Sequence, residues 1–565
     1  VNVLGINSYF EHPAVALVVD GELVFAAEDE RFTRVKHGRR YSPYGIYVPV
    51  EAIGAALRWA GMTGADVDEV AYSYDRWKHL RSLWGCLNGR RLSSLRDELS
   101  AFMALSNLRP ALGYAVPERL REVVDPEQLG RAALKPWPHH LAHASSAFHC
   151  SGFEEALVVV ADGAGESACT SAFHGRGRGL RRLGGELIPD SLGLFYSFVT
   201  RHLGFEPFAD EYKVMGLAAH GEPRFSAELG EVLSLRPGGS YAVDARRLRD
   251  LAPLLGPARH PGEEIGQTQM DIARSAQLAL ERALLHVVGH YRRETGSRRL
   301  CLAGGTFLNC VANGVIARQG GFDEVYVQPA AHDAGTALGA AALSAVRAGD
   351  AGGIRCDSMA LGTEYGDAEI AAALADAGLG GERLGEEELA NRLAEALSRN
   401  RVCALFRGRM EFGPRALGMR SVLANPADPE MQRRLNRVKG REQFRPVAPA
   451  VTREAFDDYF EGETNGYMTF AVRARERARR EAPAAVHVDG SARPQVVERE
   501  RAPFLHGLLE RFRERSGFPV LVNTSFNGRE EPIVESPRGA LACFAVNGID
   551  CLAIGSYFIA KEPAA

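Results

Sequence analysis

No stretch of this sequence approaches the roughly 18 consecutive apolar residues that a membrane span requires, so no transmembrane helix is expected. Its nine cysteines include no CxxC pair, and an odd number cannot all pair within the chain. Reduced, buried thiols in a cytoplasmic protein are the expectation. Neither sign of charge is in excess, with 67 Lys+Arg against 71 Asp+Glu. That balance calls for neither nucleic acid nor an anionic membrane as partner. Also missing are a GxSxG elbow, a Walker-type GxxxxGK[ST] loop and an HExxH pair, which removes the common hydrolase and P-loop readings. The sequence opens on the strand-like VNVLGIN, and no signal peptide is expected.

What is present is glycine, 60 residues of it, much of it at the ends of apolar runs. At 565 residues the chain exceeds what one hydrophobic core can organise, so two or more domains are expected. The first 30 residues read strand, loop, strand, tight turn at Asp20-Gly21, strand. A similar unit, ALVVVA-DGAGES-ACTSAFH, begins at 156, and a third glycine-marked strand end is CLAGGTFLN at 301–309. Strand hairpins with glycine loops facing one cleft suit the sugar-kinase/actin manner of holding nucleotide phosphates. Residues 266–293 carry apolar positions at three-four spacing and predict a long helix. Residues 76–135 read as a helical insertion over a cleft, and the glycine-rich 344–362 as the domain boundary. Beyond it, a helix at ELANRLAEALSRN and a strand at VCALF predict a second, mixed α/β domain.

Three constellations carry chemistry. In HHLAHA, His139 and His143 stand four apart on a predicted helix, so both rings can face one cation while His140 points elsewhere. Two imidazoles are half a metal site, suited to zinc, iron or nickel; Asp162 and Asp333, ending apolar runs at glycine turns, are the carboxylates that would complete it. The turns DGAGE (with Gly163), GGTFLN (with Gly304 and Gly305) and HDAGTALGAA offer backbone amides to phosphate oxygens. Finally, residues 401–445 hold eleven Lys/Arg against four Asp/Glu. Gly413-Pro414 fixes a turn that presents Arg415, and Lys439, Arg441 and Arg445 alternate as along a strand or its exit. Interleaving with apolar and proline residues suits a pocket for phosphate or carboxylate oxygens better than a solvated face.

These motifs, in this order, resemble the NodU/CmcH family of O-carbamoyltransferases, which includes antibiotic-tailoring enzymes. The likeness runs end to end, through EDERFTRVKHG, HHLAHASSAF, DGAGE, LAGGTFLNC, HDAGTALGAA, GRMEFGPRALGMRS, VKGREQFRP, HVDGSARPQ and NTSFNGREEPIV. It implies an actin-like first domain (1–350), akin to threonylcarbamoyl-transferases, and a YrdC-like second (358–565) that makes carbamoyl adenylate from carbamoyl phosphate and ATP with Mg2+. It further implies His139, His143, Asp162 and Asp333 as Fe(II) ligands, with Lys36, Gly163, Gly304, Gly305 and Asn309 as nucleotide contacts. Arg415, Lys439, Arg445 and Arg493 match positions that hold carbamoyl phosphate, with Arg420, Asn523 and Ser525 beside them. His12 aligns with a histidine near the acceptor hydroxyl, although here His12-Pro13-Ala14 replaces the His-Asp-Ala usual in the family. The acceptor implied is a natural-product hydroxyl, of a polyketide, macrolide or glycoside. Oligomeric state is left open, a homodimer included. The competing classes are a tRNA threonylcarbamoyl transferase, which should carry a broader basic surface, and an ATP-binding regulatory protein, which would not need motifs in both halves.

Overall fold

The computed structural model describes residues 1–8, 11–38, 48–75, 132–349, 354 and 356–562. The insertion expected at 76–135 lies outside them as far as residue 131. Chain contacts divide the described residues into two compact units: Val1–Glu30 with His37–Cys356, and Arg31–Lys36 with Asp357–Ala565. The later division falls inside the glycine-rich stretch, whereas the excursion of Arg31–Lys36 into the second unit has no signature in the sequence.

The first unit contains the same topology twice. Strands β1 (Asn2–Asn7), β2 (Ala14–Val19), β3 (Glu22–Glu28), β4 (Glu69–Tyr72) and β5 (Ala133–Pro136) form a sheet ordered β3-β2-β1-β4-β5. The hairpin β2–β3 turns through Asp20 and Gly21, both at positive φ, as a two-residue connection demands. Strands β6 (Glu155–Ala161), β7 (Thr170–Arg176), β8 (Gly179–Gly184), β11 (Arg299–Ala303) and β12 (Glu324–Val327) repeat it as β12-β11-β6-β7-β8, while β9 (Leu233–Arg236) and β10 (Ser240–Val243) form a separate hairpin. In each sheet the first three strands are antiparallel and the last two run parallel to the first. This duplication is the actin-like arrangement that the glycine loops led us to expect. Helices α1 (Val50–Ala60), α2 (His139–Ser151), α3 (Leu192–His202), α4 (Gln267–Thr295), α5 (Cys310–Gln319) and α6 (Ala334–Ala348) pack around the sheets. Helix α4 matches the expected amphipathic segment to within two residues at its C-terminus.

Close helix packing fixes where the loops end up. A Cβ on Gly339 of α6 would lie 1.8 Å from the Ala142 carbonyl of α2, so only glycine lets these helices approach. Their contact brings the start of α6, at Asp333, to the face of α2 that carries His139 and His143.

The second unit is built on an eight-stranded mixed sheet. Its strands are β13 (Glu382–Arg383), β14 (Cys403–Phe406), β15 (Arg420–Ala424), β16 (Ala448–Thr452), β20 (Gln495–Val497), β21 (Val520–Ser525), β22 (Cys551–Ile554) and β23 (Tyr557–Ala560), ordered β13-β23-β22-β14-β15-β21-β16-β20. Short strands β17 (Phe460–Glu461), β18 (Val472–Ala474) and β19 (Ser491–Ala492) form a side sheet. The central strands are apolar runs such as CALF and CLAI, buried throughout, as strands covered on both faces must be. Helices α7 (Glu386–Ser398) and α8 (Met431–Val438) lie in this unit. Cys150, Cys169, Cys301, Cys310, Cys403, Cys543 and Cys551 are buried and take part in no disulfide.

Candidate functional site

In the first unit, Asp162 follows directly on β6 and Gly304 on β11. These strands are parallel, with Val160 opposite Ala303, so their carboxyl ends open side by side. Gly304 has φ +99°, and a Cβ there would meet the Ala161 carbonyl at 2.2 Å. The Gly305 amide then donates to Asp162 Oδ1 at 3.1 Å. Gly304→Ala is therefore expected to destabilise the first unit by about 3 kcal/mol, read as a lower thermal midpoint.

His139, His143, Asp162 and Asp333 converge, each offering one ligand atom within 4.8 Å of the others. His139 Nε2 stands 3.3 Å from Asp162 Oδ2 and 3.4 Å from Asp333 Oδ1. His143 Nε2 is 3.4 Å from each of the same two oxygens. Four donors at such spacing surround a point about 2 Å from each, the usual bond length from a transition metal to imidazole or carboxylate. Both histidines are wholly buried. The Ser73 carbonyl, 3.3 Å from His139 Nδ1, favours the tautomer that carries its proton on Nδ1 and leaves Nε2 for the cluster. Burial by itself would lower the His139 pKa, but the facing carboxylates of Asp162 and Asp333 outweigh it and raise it to about 10. Burial likewise opposes ionisation of Asp162, yet the two imidazoles hold it well below the usual carboxylate range. Two enclosed carboxylates facing neutral imidazoles demand positive charge, which a proton or a divalent cation can supply. The donor set fits a cation such as iron or zinc. His140, as expected, turns away, to Ser171 Oγ at 2.9 Å.

The remaining residues expected in this unit divide. Gly163 is open, with nothing near the position its Cβ would take. Asn309, expected as a nucleotide contact, caps α5 by accepting from the Ala312 amide at 3.0 Å and donates to Gln277 Oε1 at 2.7 Å, so its side chain is engaged within the fold. His12 lies in a loop at φ 56°, its ring 4.8 Å from that of His37 and 4.3 Å from that of His332. Its neighbour Pro13 packs on Gly38, where a Cβ would fall 2.4 Å from the proline ring. Asn7 Nδ2 holds the loop by donating to the Glu11 and His12 carbonyls.

The second unit gathers the basic residues. Helix α8 ends at Val438 with Lys439 as its cap, so Lys439, Arg441 and Arg445 follow a helix where their alternation suggested a strand or its exit; the buried face of Met431 and Leu435 sets the helix. Lys439 Nζ is buried and donates to the Ser525 carbonyl at 2.5 Å, to the Asn527 carbonyl at 2.8 Å and to Asn527 Oδ1. Its pKa falls well below the lysine range through burial first, then through the charges of Arg441, Arg445 and Lys36. Lys36 belongs to this unit, not to the metal cluster's.

The turn carrying Arg415 is fixed from beneath. Glu411 Oε1 accepts the Leu417 and Arg420 amides, Gln495 Nε2 donates to the Leu417 carbonyl, and Asn523 Nδ2 donates to the Ala416 carbonyl and to Gln495 Oε1. Arg420 and Asn523, expected beside the residues that hold carbamoyl phosphate, donate to protein acceptors. Arg420 is wholly buried, donates to the Gly408 carbonyl at 2.9 Å and the Met419 carbonyl at 3.1 Å, and stacks 3.7 Å from the Phe406 ring. Burial lowers its pKa to about 10 despite Glu411 and Glu535. Arg420→Met should cost about 3 kcal/mol, because it leaves those carbonyls without their donor; denaturant unfolding would measure it. Arg415, Arg445 and Arg493 are half-buried, and Ser525 Oγ donates to Asn527 Oδ1 at 2.7 Å. The carboxylate clamp beneath the turn could have been suspected from the spacing of Glu411 and Arg420. The contribution of Gln495 could not.

Fold and site together define a class: a protein of two α/β units, the first with a duplicated five-stranded topology and a buried His/Asp cluster. Comparison with known proteins then narrows it. Residues 2–342 match the model of the carbamoyltransferase N-terminus, and residues 394–561 that of the carbamoyltransferase C-terminus. Nodulation protein NolNO of Sinorhizobium fredii is 36% identical over 99% of this chain and 80% of its own length. Nodulation protein NolO of Bradyrhizobium diazoefficiens is 38% identical over 75% of this chain and 79% of its own. Among solved structures, full-length HypF in its phosphate- and nucleotide-bound form is similar at 14% identity and a TM-score of 0.34, covering 61% of this chain and 55% of that one. The chain belongs to the carbamoyltransferase family, and it is a carbamoyltransferase. Among the described residues, no helix is long and apolar enough to cross a membrane.

Proposed function

We propose that the chain is an ATP-dependent O-carbamoyltransferase that makes carbamoyl adenylate in its second unit and spends it in its first. The observation that supports this reading is that a His/Asp cluster lies in one unit and a group of cations around buried Lys439 in the other. In the second unit, Arg415, Arg445 and Arg493 bind carbamoyl phosphate, and the fixed positive field around Lys439 favours its cleavage by water to carbamate and phosphate. The carbamate oxygen attacks the α-phosphorus of ATP, held with Mg2+, and pyrophosphate leaves. In the first unit, Gly163, with no atom near the place of a Cβ, leaves room for the adenylate phosphate beside the cation cluster. An acceptor hydroxyl attacks the carbamoyl carbon, its proton passes to His12, and AMP departs.

His139, His143, Asp162 and Asp333 would hold Fe(II), which supplies Lewis-acid polarisation of the carbonyl or leaving phosphate. The acceptor class is a hydroxylated natural product of antibiotic type. Incubating the protein with ATP, labelled carbamoyl phosphate and a panel of macrolides, polyketides and glycosides tests the whole scheme. A carbamoylated product with AMP and pyrophosphate is expected. Failure of carbamoyl phosphate to drive ATP to AMP with every acceptor would defeat it.

A further inference from the structure

A pocket made of like-charged groups cannot hold itself together. Lys439, Arg441, Arg445 and Lys36 repel one another, so the loops that carry them must be fixed by other contacts. Two such contacts come from the segment Arg31–Lys36, far away in sequence but part of the second unit. Arg31 is 2% exposed, and its Nη2 donates at 2.8 Å to the carbonyl of Gly413, the residue before Pro414-Arg415. Arg34 places Nη1 and Nη2 each at 2.7 Å from consecutive carbonyls, those of Ile533 and Pro532. The strand of chain thus gripped leads back to Asn527 and Ser525, the acceptors of Lys439, and is tied to them by the Val534 amide donating to the Phe526 carbonyl. One six-residue segment therefore holds both the turn that presents Arg415 and the loop that positions Lys439.

We infer that Arg31 and Arg34 are positioning residues of the anion pocket in the second unit, donated by the N-terminal part of the chain. This rests on the carbamoyl-adenylate reading above. Charge-assisted bonds to carbonyls, with the planar fork matched to two of them at once, set loop geometry without offering these donors to substrate. Misplacement of the pocket by a fraction of an ångström weakens grip on the reacting anion more than grip on the larger nucleotide. Lys36, carried on the same segment, adds to the positive field felt by Lys439.

The test is carbamoyl-phosphate-dependent pyrophosphate release by full-length Arg31→Gln, Arg34→Gln and Arg34→Lys proteins, beside the unaltered chain. Arg31→Gln and Arg34→Gln should raise KM for carbamoyl phosphate at least about tenfold while KM for ATP moves less than about twofold. Arg34→Lys, which keeps the charge and part of the contact, should recover part of that loss, and it carries the measurement if the glutamine variants do not fold. Unchanged KM for carbamoyl phosphate, or a parallel rise in both KM values, overturns the positioning role alone. An unaltered protein that releases no pyrophosphate overturns the reading beneath it, and the inference with it.

Discussion

Lys439→Ala is expected to lower carbamoyl-phosphate-dependent pyrophosphate release by about a hundredfold to a thousandfold, the range for loss of one preorganised donor at developing charge. The lysine is closely held: its ammonium bonds to carbonyls of Ser525 and Asn527, and it sits among Arg441, Arg445 and Lys36. Burial and those neighbours make its positive charge costly until an anion arrives. Binding of a phosphate dianion reverses that cost, so it should be accompanied by proton uptake wherever free Lys439 is partly neutral. The alanine variant loses both the field and the anchor of the 525–527 loop. Carbamoyl adenylate supplied from outside should still be turned over, because transfer is proposed to occur in the first unit. Undiminished pyrophosphate release by Lys439→Ala would remove the lysine from the mechanism.

The other large effect concerns the His/Asp cluster. His143→Ala removes one imidazole from a quartet whose His–Asp pairs lie 3.3 to 3.4 Å apart, and Asp162→Asn removes one of the two carboxylates. Protein purified without oxygen should contain about one bound iron per chain, and either variant close to none. Transfer from supplied carbamoyl adenylate should fall more than about a hundredfold, since even indirect partners of a metal ligand are worth ten- to a hundredfold. Pyrophosphate release in the second unit should persist. Asp162→Asn separates charge from shape, because the amide keeps an oxygen for the Gly305 amide that Asp162 Oδ1 now accepts. Metal content equal to that of the unaltered protein in both variants would show that the quartet is a buried ion network and nothing more.

Local chemistry made much of this legible in advance. The i, i+4 histidines of α2, the hairpin at Asp20-Gly21, the buried apolar strands and the glycine turns after β6 and β11 follow from periodicity and backbone sterics, which act over a few residues. The whole pattern was enough to point to the carbamoyltransferase family. Periodicity failed where a short segment could satisfy two patterns: Lys439, Arg441 and Arg445 alternate as along a strand or its exit, yet they follow a helix, Met431–Val438, set by its buried Met431–Leu435 face.

The sequence by itself determined which elements form, which residues bring charge or lone pairs to their ends, and which family the chain resembles. Tertiary structure alone decided how those groups are used. It turned Asn309, Arg420 and Asn523 inward as caps and clamps, drew Asp333 onto α2 through the Gly339 contact, and placed Arg31–Lys36 in the second unit. The reason is that a side chain's partner is set by which backbone carbonyls and amides remain unpaired once the sheets have assembled. Residues hundreds of positions apart meet only after that happens.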